Sequence, residues 1–252
     1  MDLFKISLLI VSLPLFAAAA PTPVSVSVLS SDAKFVGSSM GAMQVNVSDV
    51  LTGELLASGK TLGSTGDTGL IMADQRGRDE VIRTEDSGRY DFELDLDRPT
   101  EVRIEVFGPL AQLQSAATVS ETRVLLPGKD YAEGNGIILS LPGMVVDVLK
   151  PRAHLKTPQG TELKIEANVA KMCGCPVGET TPWPVDRYEV EVLIYAAGGD
   201  LVQTLPLEYA GVNSLFHANL PDLPAGAYEF VVTAFDPKTK DSGVDSTTVI
   251  LQ

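Results

Sequence analysis

From Pro23 onward apolar residues recur at every second position, the period of a strand that turns one face to a core. Val24, Val26 and Val28 alternate with serines, which reads as an amphipathic strand, and Met43, Val45 and Val47 alternate with polar neighbours. The run Asp49-Val50-Leu51-Thr52-Gly53-Glu54 is a turn signal, and Leu55-Leu56-Ala57 returns from it, so a hairpin is expected. Tyr90, Phe92, Leu94 and Leu96 line one face of a further strand, and Val102, Ile104 and Val106 line the next, across an Asp97-Arg98-Pro99-Thr100 turn. Strands are also expected at residues 121–126 and 136–141, with residues 111–119 as loop or short helix before them. Residues 59–88, rich in Gly, Ser, Thr and Asp around Leu70-Ile71-Met72, read as a long excursion with one or two short strands.

Pro142-Gly143 is a turn dipeptide that leads into a new apolar run, and a domain junction is placed there. Strand A is expected over residues 144–155. In strand B, Leu163, Ile165, Ala167 and Val169 face inward, and in strand C, Val190, Val192 and Ile194 do. Residues 201–207 and Phe216, Ala218 and Leu220 supply two more strands. No helical period is sustained over residues 23–142. The expectation is an all-β chain of two tandem β-sandwich domains, residues 21–143 and 144–252, after an N-terminal leader at 1–20.

Two stretches resemble known modules. Leu223-Pro224-Ala225-Gly226-Ala227-Tyr228-Glu229-Phe230 resembles the approach to strand F of immunoglobulin-like domains, where the Tyr hydroxyl bonds back across a corner. That resemblance spans residues 145–252 and implies an immunoglobulin-like C-terminal domain in which Phe230 stands where an antibody domain has its second disulfide cysteine, and Ile165 or one of its neighbours where it has the first. Thr52-Gly53-Glu54-Leu55-Leu56-Ala57 with Gly88-x-Tyr90-x-Phe92-x-Leu94 resembles transthyretin-like or carboxypeptidase-regulatory-like modules of exported bacterial proteins. It implies a sandwich with an adhesive or spacer role and carries over no catalytic residue.

The 252 residues, 44% hydrophobic and 21% charged, suit two globular units. A formal net charge of -14 argues against nucleic acid as a partner. Lys5, the apolar residues 6–16 and the alanines at 17–20 have the layout of a cleavable export signal. No Cys follows the alanines, and no later apolar run is long enough to span a bilayer. A periplasmic or secreted chain is expected, without a membrane anchor after cleavage, in an oxidising compartment.

Chemistry is concentrated in Lys171-Met172-Cys173-Gly174-Cys175-Pro176 and the following Pro182-Trp183-Pro184, which hold both cysteines and the single tryptophan. In an immunoglobulin-like domain this is the B–C loop, at the same end as the F–G loop (Asp236-Pro237-Lys238-Thr239-Lys240-Asp241) and residues 208–214. A functional surface is therefore expected there, with Trp183, Lys238, Lys240 and Asp241 as binding residues. Trp183 reads either as an exposed aromatic for a ligand or as a lid over the sandwich end.

Three chemistries fit the cysteines: a Cys173–Cys175 disulfide, a Cu(I) site of Met172, Cys173 and Cys175, and thiol exchange with a partner. Zinc does not fit, because His154 and His217 are placed away from the loop. Met40 and Met43 read as core packing, and residues 63–69 lack the Lys and helix of a phosphate-binding loop. No Gly-x-Ser-x-Gly or His-Glu-x-x-His occurs. The sequence thus points to a non-catalytic binding or scaffold protein without cofactor, meeting a protein partner or small ligand in the cell envelope, with Cu(I) handling as the alternative.

Overall fold

The computed structural model describes residues 21–74, 77 and 79–252. The expected leader at 1–20 lies outside the described residues, as do residues 75, 76 and 78 of the long excursion.

Seven strands build the first sandwich: β1 (Pro21–Ser30), β2 (Gln44–Asp49), β3 (Leu55–Lys60), β4 (Tyr90–Asp95), β5 (Thr100–Gly108), β6 (Ala117–Leu125) and β7 (Ile137–Leu141). They form two sheets, β4-β1-β7 and β3-β2-β5-β6. Alternation delivers the core, since Val24, Val26 and Val28 of the first sheet face Val45, Val47, Val102, Ile104 and Val106 of the second. The hairpin at 49–54 forms as expected, with Asp49 accepting from the Leu51 and Thr52 N–H groups at 2.8 Å each.

Two expectations for this half need correction. The serines of β1 do not face water: Ser25 and Ser27 are fully buried. The reason is that the long excursion folds back over that face of the sheet, and its Ile71 and Ile82, together with Phe35 from the segment after β1, pack against Leu29 and Ile138 and seal it. Arg83 hydrogen-bonds the Ser25 hydroxyl and the Ala132 carbonyl underneath. Past the end of β3 at Lys60, the excursion also carries no strand among its described residues. It holds isolated bridges, Leu62 to Arg89 and Ser64 to Ser87, and one short helix, α1 (Thr68–Ile71). Asp67 caps that helix by accepting from the Leu70 N–H at 2.7 Å, so local capping outweighs the weak strand signal of Leu70-Ile71-Met72.

The chain passes through Pro142-Gly143 into the second sandwich. Its strands are β8 (Met144–Lys150), β9 (Leu155–Thr157), β10 (Lys164–Lys171), β11 (Glu189–Ala196), β12 (Leu201–Pro206), β13 (Glu208–Tyr209), β14 (Leu215–Asn219), β15 (Gly226–Phe235) and β16 (Ser242–Leu251). The sheets are β13-β14-β10-β8 and β12-β11-β15-β16-β9, the strand order of an immunoglobulin-like domain. The first strand is broken rather than continuous to 155. Pro151 has no N–H to extend the β8 ladder, and the chain crosses to the other sheet, where β9 runs parallel to β16.

Ile165 and Phe230, both fully buried, fill the inter-sheet position between the two layers. At the corner before β15 the Tyr228 hydroxyl donates to the Pro224 carbonyl at 3.0 Å. This bond ties the loop to the strand it feeds. Tyr228→Phe keeps the buried ring and removes only that bond, so unfolding in urea should show a loss of about 1 kcal/mol with an unchanged slope.

Candidate functional site

The B–C and F–G loops do meet at one end of the second sandwich, and that end is docked against the first sandwich. Trp183 is buried, and its indole N–H donates to the backbone carbonyl of Asp32, in the turn after β1, at 2.9 Å. The two cores interpenetrate at the joint. Ala33 belongs to the core of the second sandwich, while Val145 and Met172 belong to that of the first. Ser115 completes the contact by accepting from the Val146 N–H at 3.1 Å and donating to the Val146 carbonyl at 3.2 Å, which satisfies the open edge of β8.

A chain of charges runs through the joint. Arg187 donates from Nε to Oδ1 of Asp236 at 2.8 Å, makes a second bond to the same carboxylate, and reaches Oδ2 of Asp32 at 2.6 Å. Lys171 has no solvent exposure, and its Nζ lies 3.3 Å from Asp241 and 3.6 Å from Asp236. Asp236 is itself fully buried. Burial opposes its ionisation, yet hydrogen bonds from Arg187, the Thr239 hydroxyl and the Lys238 N–H hold its carboxyl well below the usual carboxylate range. Asp241 is also lowered: burial works against it, while the Gly143 N–H, the Thr239 and Ser31 side chains and the charge of Lys171 outweigh that cost. The same burial, with Asp236, Asp32 and Asp241 around it, pushes the Tyr188 hydroxyl upward.

The cysteine loop is a tight turn at this joint. The Gly174 N–H donates to the Lys171 carbonyl at 2.8 Å, and the Lys171 N–H donates to the Cys175 carbonyl at 3.0 Å. Gly174 takes φ +76°, and a β-carbon there would lie 2.5 Å from the Met40 sulfur of the first sandwich, so only glycine suits the position. Cys173 and Cys175 are bonded to each other as a disulfide, and both are buried. In this oxidised state neither sulfur is a thiolate ligand, and Met172 is packed among the apolar residues of the first sandwich. Among the described residues no group of three or more His, Cys, Asp and Glu could hold a metal ion.

The expected binding residues thus divide. Trp183 and Asp241 are consumed by the joint, whereas Lys238 and Lys240 are exposed at its rim. Lys238 borders a cleft of about 420 Å³ between the two sandwiches, along with Asp32, Asp74 and Arg187. The partners on the first sandwich, Asp32, Ser115 and Met40, carry no sequence signal that links them to the loop. Lys171 does carry one. It continues the inward series Ile165, Ala167, Val169, and a lysine in that register implies a buried carboxylate to meet it.

No family model matches the chain, and no curated protein matches it. Solved structures similar to it include fibronectin(III)-like modules of Clostridium thermocellum CbhA, at 12% identity over 92% of this chain and 87% of that one, with a TM-score of 0.31. A chimeric titin Z1Z2 tandem matches at 8% identity over 93% of this chain and 92% of that one, with a TM-score of 0.26. An engineered protein matches at 19% identity over 51% of this chain, with a TM-score of 0.33, and the match spans 24% of its length.

Two outcomes follow from the joint. Trp183→Ala empties a buried aromatic site and strands the Asp32 carbonyl, so calorimetry should show a loss of about 3 kcal/mol. Asp236 and Asp241 have folded-state values below their unfolded ones. The stability they supply is therefore complete above about pH 4 and is lost as pH falls below it. Melting temperature should drop on acidification in that window, and Asp236→Asn should flatten the drop while lowering stability at pH 7.

Proposed function

We propose that this protein is an exported, non-catalytic scaffold that holds its two sandwiches, and whatever each of them binds, at one fixed orientation. The single observation that carries the reading is the joint. The loops that an immunoglobulin-like domain would otherwise present to a partner are spent on the neighbouring sandwich, through Trp183, Lys171 and the Arg187 bridge. A linker built for free motion would expose polar residues at this place; here apolar side chains and paired charges are buried instead.

The direction of the chain supports the same reading. β1 runs from Pro21 at the far end of the first sandwich to the joint at Asp32, and β16 runs from the joint at Ser242 to Leu251 at the far end of the second. The far ends of β1 and β16 therefore lie on opposite sides of the joint. A partner in the cell envelope then meets the outer surfaces and the exposed rim lysines Lys238 and Lys240, not an open loop crown.

The measurement is the distance between spin labels placed at Thr52 and Gly199, one at each far end. A single narrow distribution is expected in the wild-type chain. Arg187→Ala, which leaves Asp236 short of a partner at a cost of about 3 kcal/mol, should broaden it. A broad wild-type distribution would sink the scaffold reading.

A further inference from the structure

The Cys173–Cys175 disulfide joins residues only two apart in the chain. A crosslink restrains the unfolded chain more as the loop it closes grows longer, so a bond over so short a loop does little for the sandwich as a whole. The inter-sheet position, where a bond would close a long loop, is filled by Ile165 and Phe230 instead. What this disulfide constrains is local, and its surroundings are the joint. Lys171 precedes it and pairs with Asp241, Met172 enters the core of the first sandwich, and Gly174, at φ +76°, lies against the Met40 sulfur.

Closure of the joint also hides the bond. Cys173 and Cys175 are 1% and 4% exposed, and they share a core cluster with Ala33 of the first sandwich. Thiol–disulfide exchange requires a thiolate to reach one of the two sulfurs, and with the joint closed neither is accessible. Reduction therefore waits on opening. The converse follows from linkage. With the bond intact, the Met172-Cys173-Gly174-Cys175 turn keeps its shape when the sandwiches part; as two thiols it gains freedom that closing must remove again.

We propose that Cys173–Cys175 is a redox latch on the joint. As a disulfide it favours the closed orientation, and a dithiol that reaches it during an opening converts it to two thiols and loosens the joint. In that exchange a thiolate of the reductant attacks one cysteine sulfur, the S–S bond breaks, and the other cysteine leaves as a thiolate that takes up a proton. The second thiol of the reductant then displaces the first cysteine, so two electrons pass to the protein and the reductant departs as its own disulfide. The latch rests on the fixed-joint reading given above.

The test treats the folded protein with dithiothreitol, quenches aliquots with iodoacetamide and counts alkylated cysteines by intact mass. Reduction is expected to be slow in the wild type and about ten-fold faster in two variants that weaken the joint. Trp183→Phe keeps an aromatic ring and removes the bond to the Asp32 carbonyl, and Arg187→Ala removes the bridge between Asp236 and Asp32. Equal rates in all three proteins overturn the latch. Small-angle X-ray scattering should then show one orientation of the sandwiches in the oxidised wild type, a spread of orientations after reduction, and return to one on reoxidation. A single orientation kept after reduction overturns the latch alone, whereas a spread already present in the oxidised protein defeats the fixed-joint reading and the latch with it.

Discussion

The Arg187 guanidinium is the interaction on which the rest of the joint depends. It binds Asp236 through two nitrogens on its own sandwich and Asp32 through a third on the other, so one planar group is hydrogen-bonded on both sides of the boundary. With Arg187 in place, Asp236 can remain ionised while fully buried, and a buried carboxylate there makes a second buried cation, Lys171, affordable. Lys171 in turn fixes the start of the Met172-Cys173-Gly174-Cys175 turn, whose Met172 reaches into the first sandwich. Remove the guanidinium and each of these groups is left with a desolvation cost that nothing repays.

Apolar contact and charge pairing have different tasks at this boundary. Exchange of Ala33 for Val145 and Met172 between the two cores supplies attraction with little orientation. The directional bonds supply angle: Trp183 to the Asp32 carbonyl, Ser115 to both backbone groups of Val146, and the Arg187 bridge. A joint held by the first kind alone would allow sliding. One held by the second kind alone would be exposed to water and salt, where such pairs are worth little. Their combination in a dry seam is what makes a fixed orientation physically reasonable.

Much of the fold was legible in the chain, and the reason is local. Val24, Val45, Val102, Ile165 and Val190 sit on strict two-residue alternations, and a strand with one apolar face admits one inward register. The tyrosine corner was legible for the same reason, since Tyr228 and Pro224 are four residues apart. What failed to show was non-local. Ser25 and Ser27 read as solvent-facing because nothing near them announces that Phe35, Ile71 and Ile82 will cover that face. The loop crown was found correctly as a cluster, and its occupant was not, because Asp32 lies 155 residues from Arg187 and a lone turn aspartate has no pattern.

Lys171 shows where the boundary of legibility lies. Its position in the inward series of β10 was visible, and a charge in that register can only be a defect or half of a buried pair. Taking it as half of a pair would have required a carboxylate at the same end of the sandwich, and the F–G loop supplies Asp236 and Asp241 within six residues of each other. Three paired charges placed at one end of a small sandwich are costly to keep unless something dry covers them. A covering partner was therefore implied by the second sandwich's own sequence, and the first sandwich, joined through two residues at Pro142-Gly143, is the surface that arrives there.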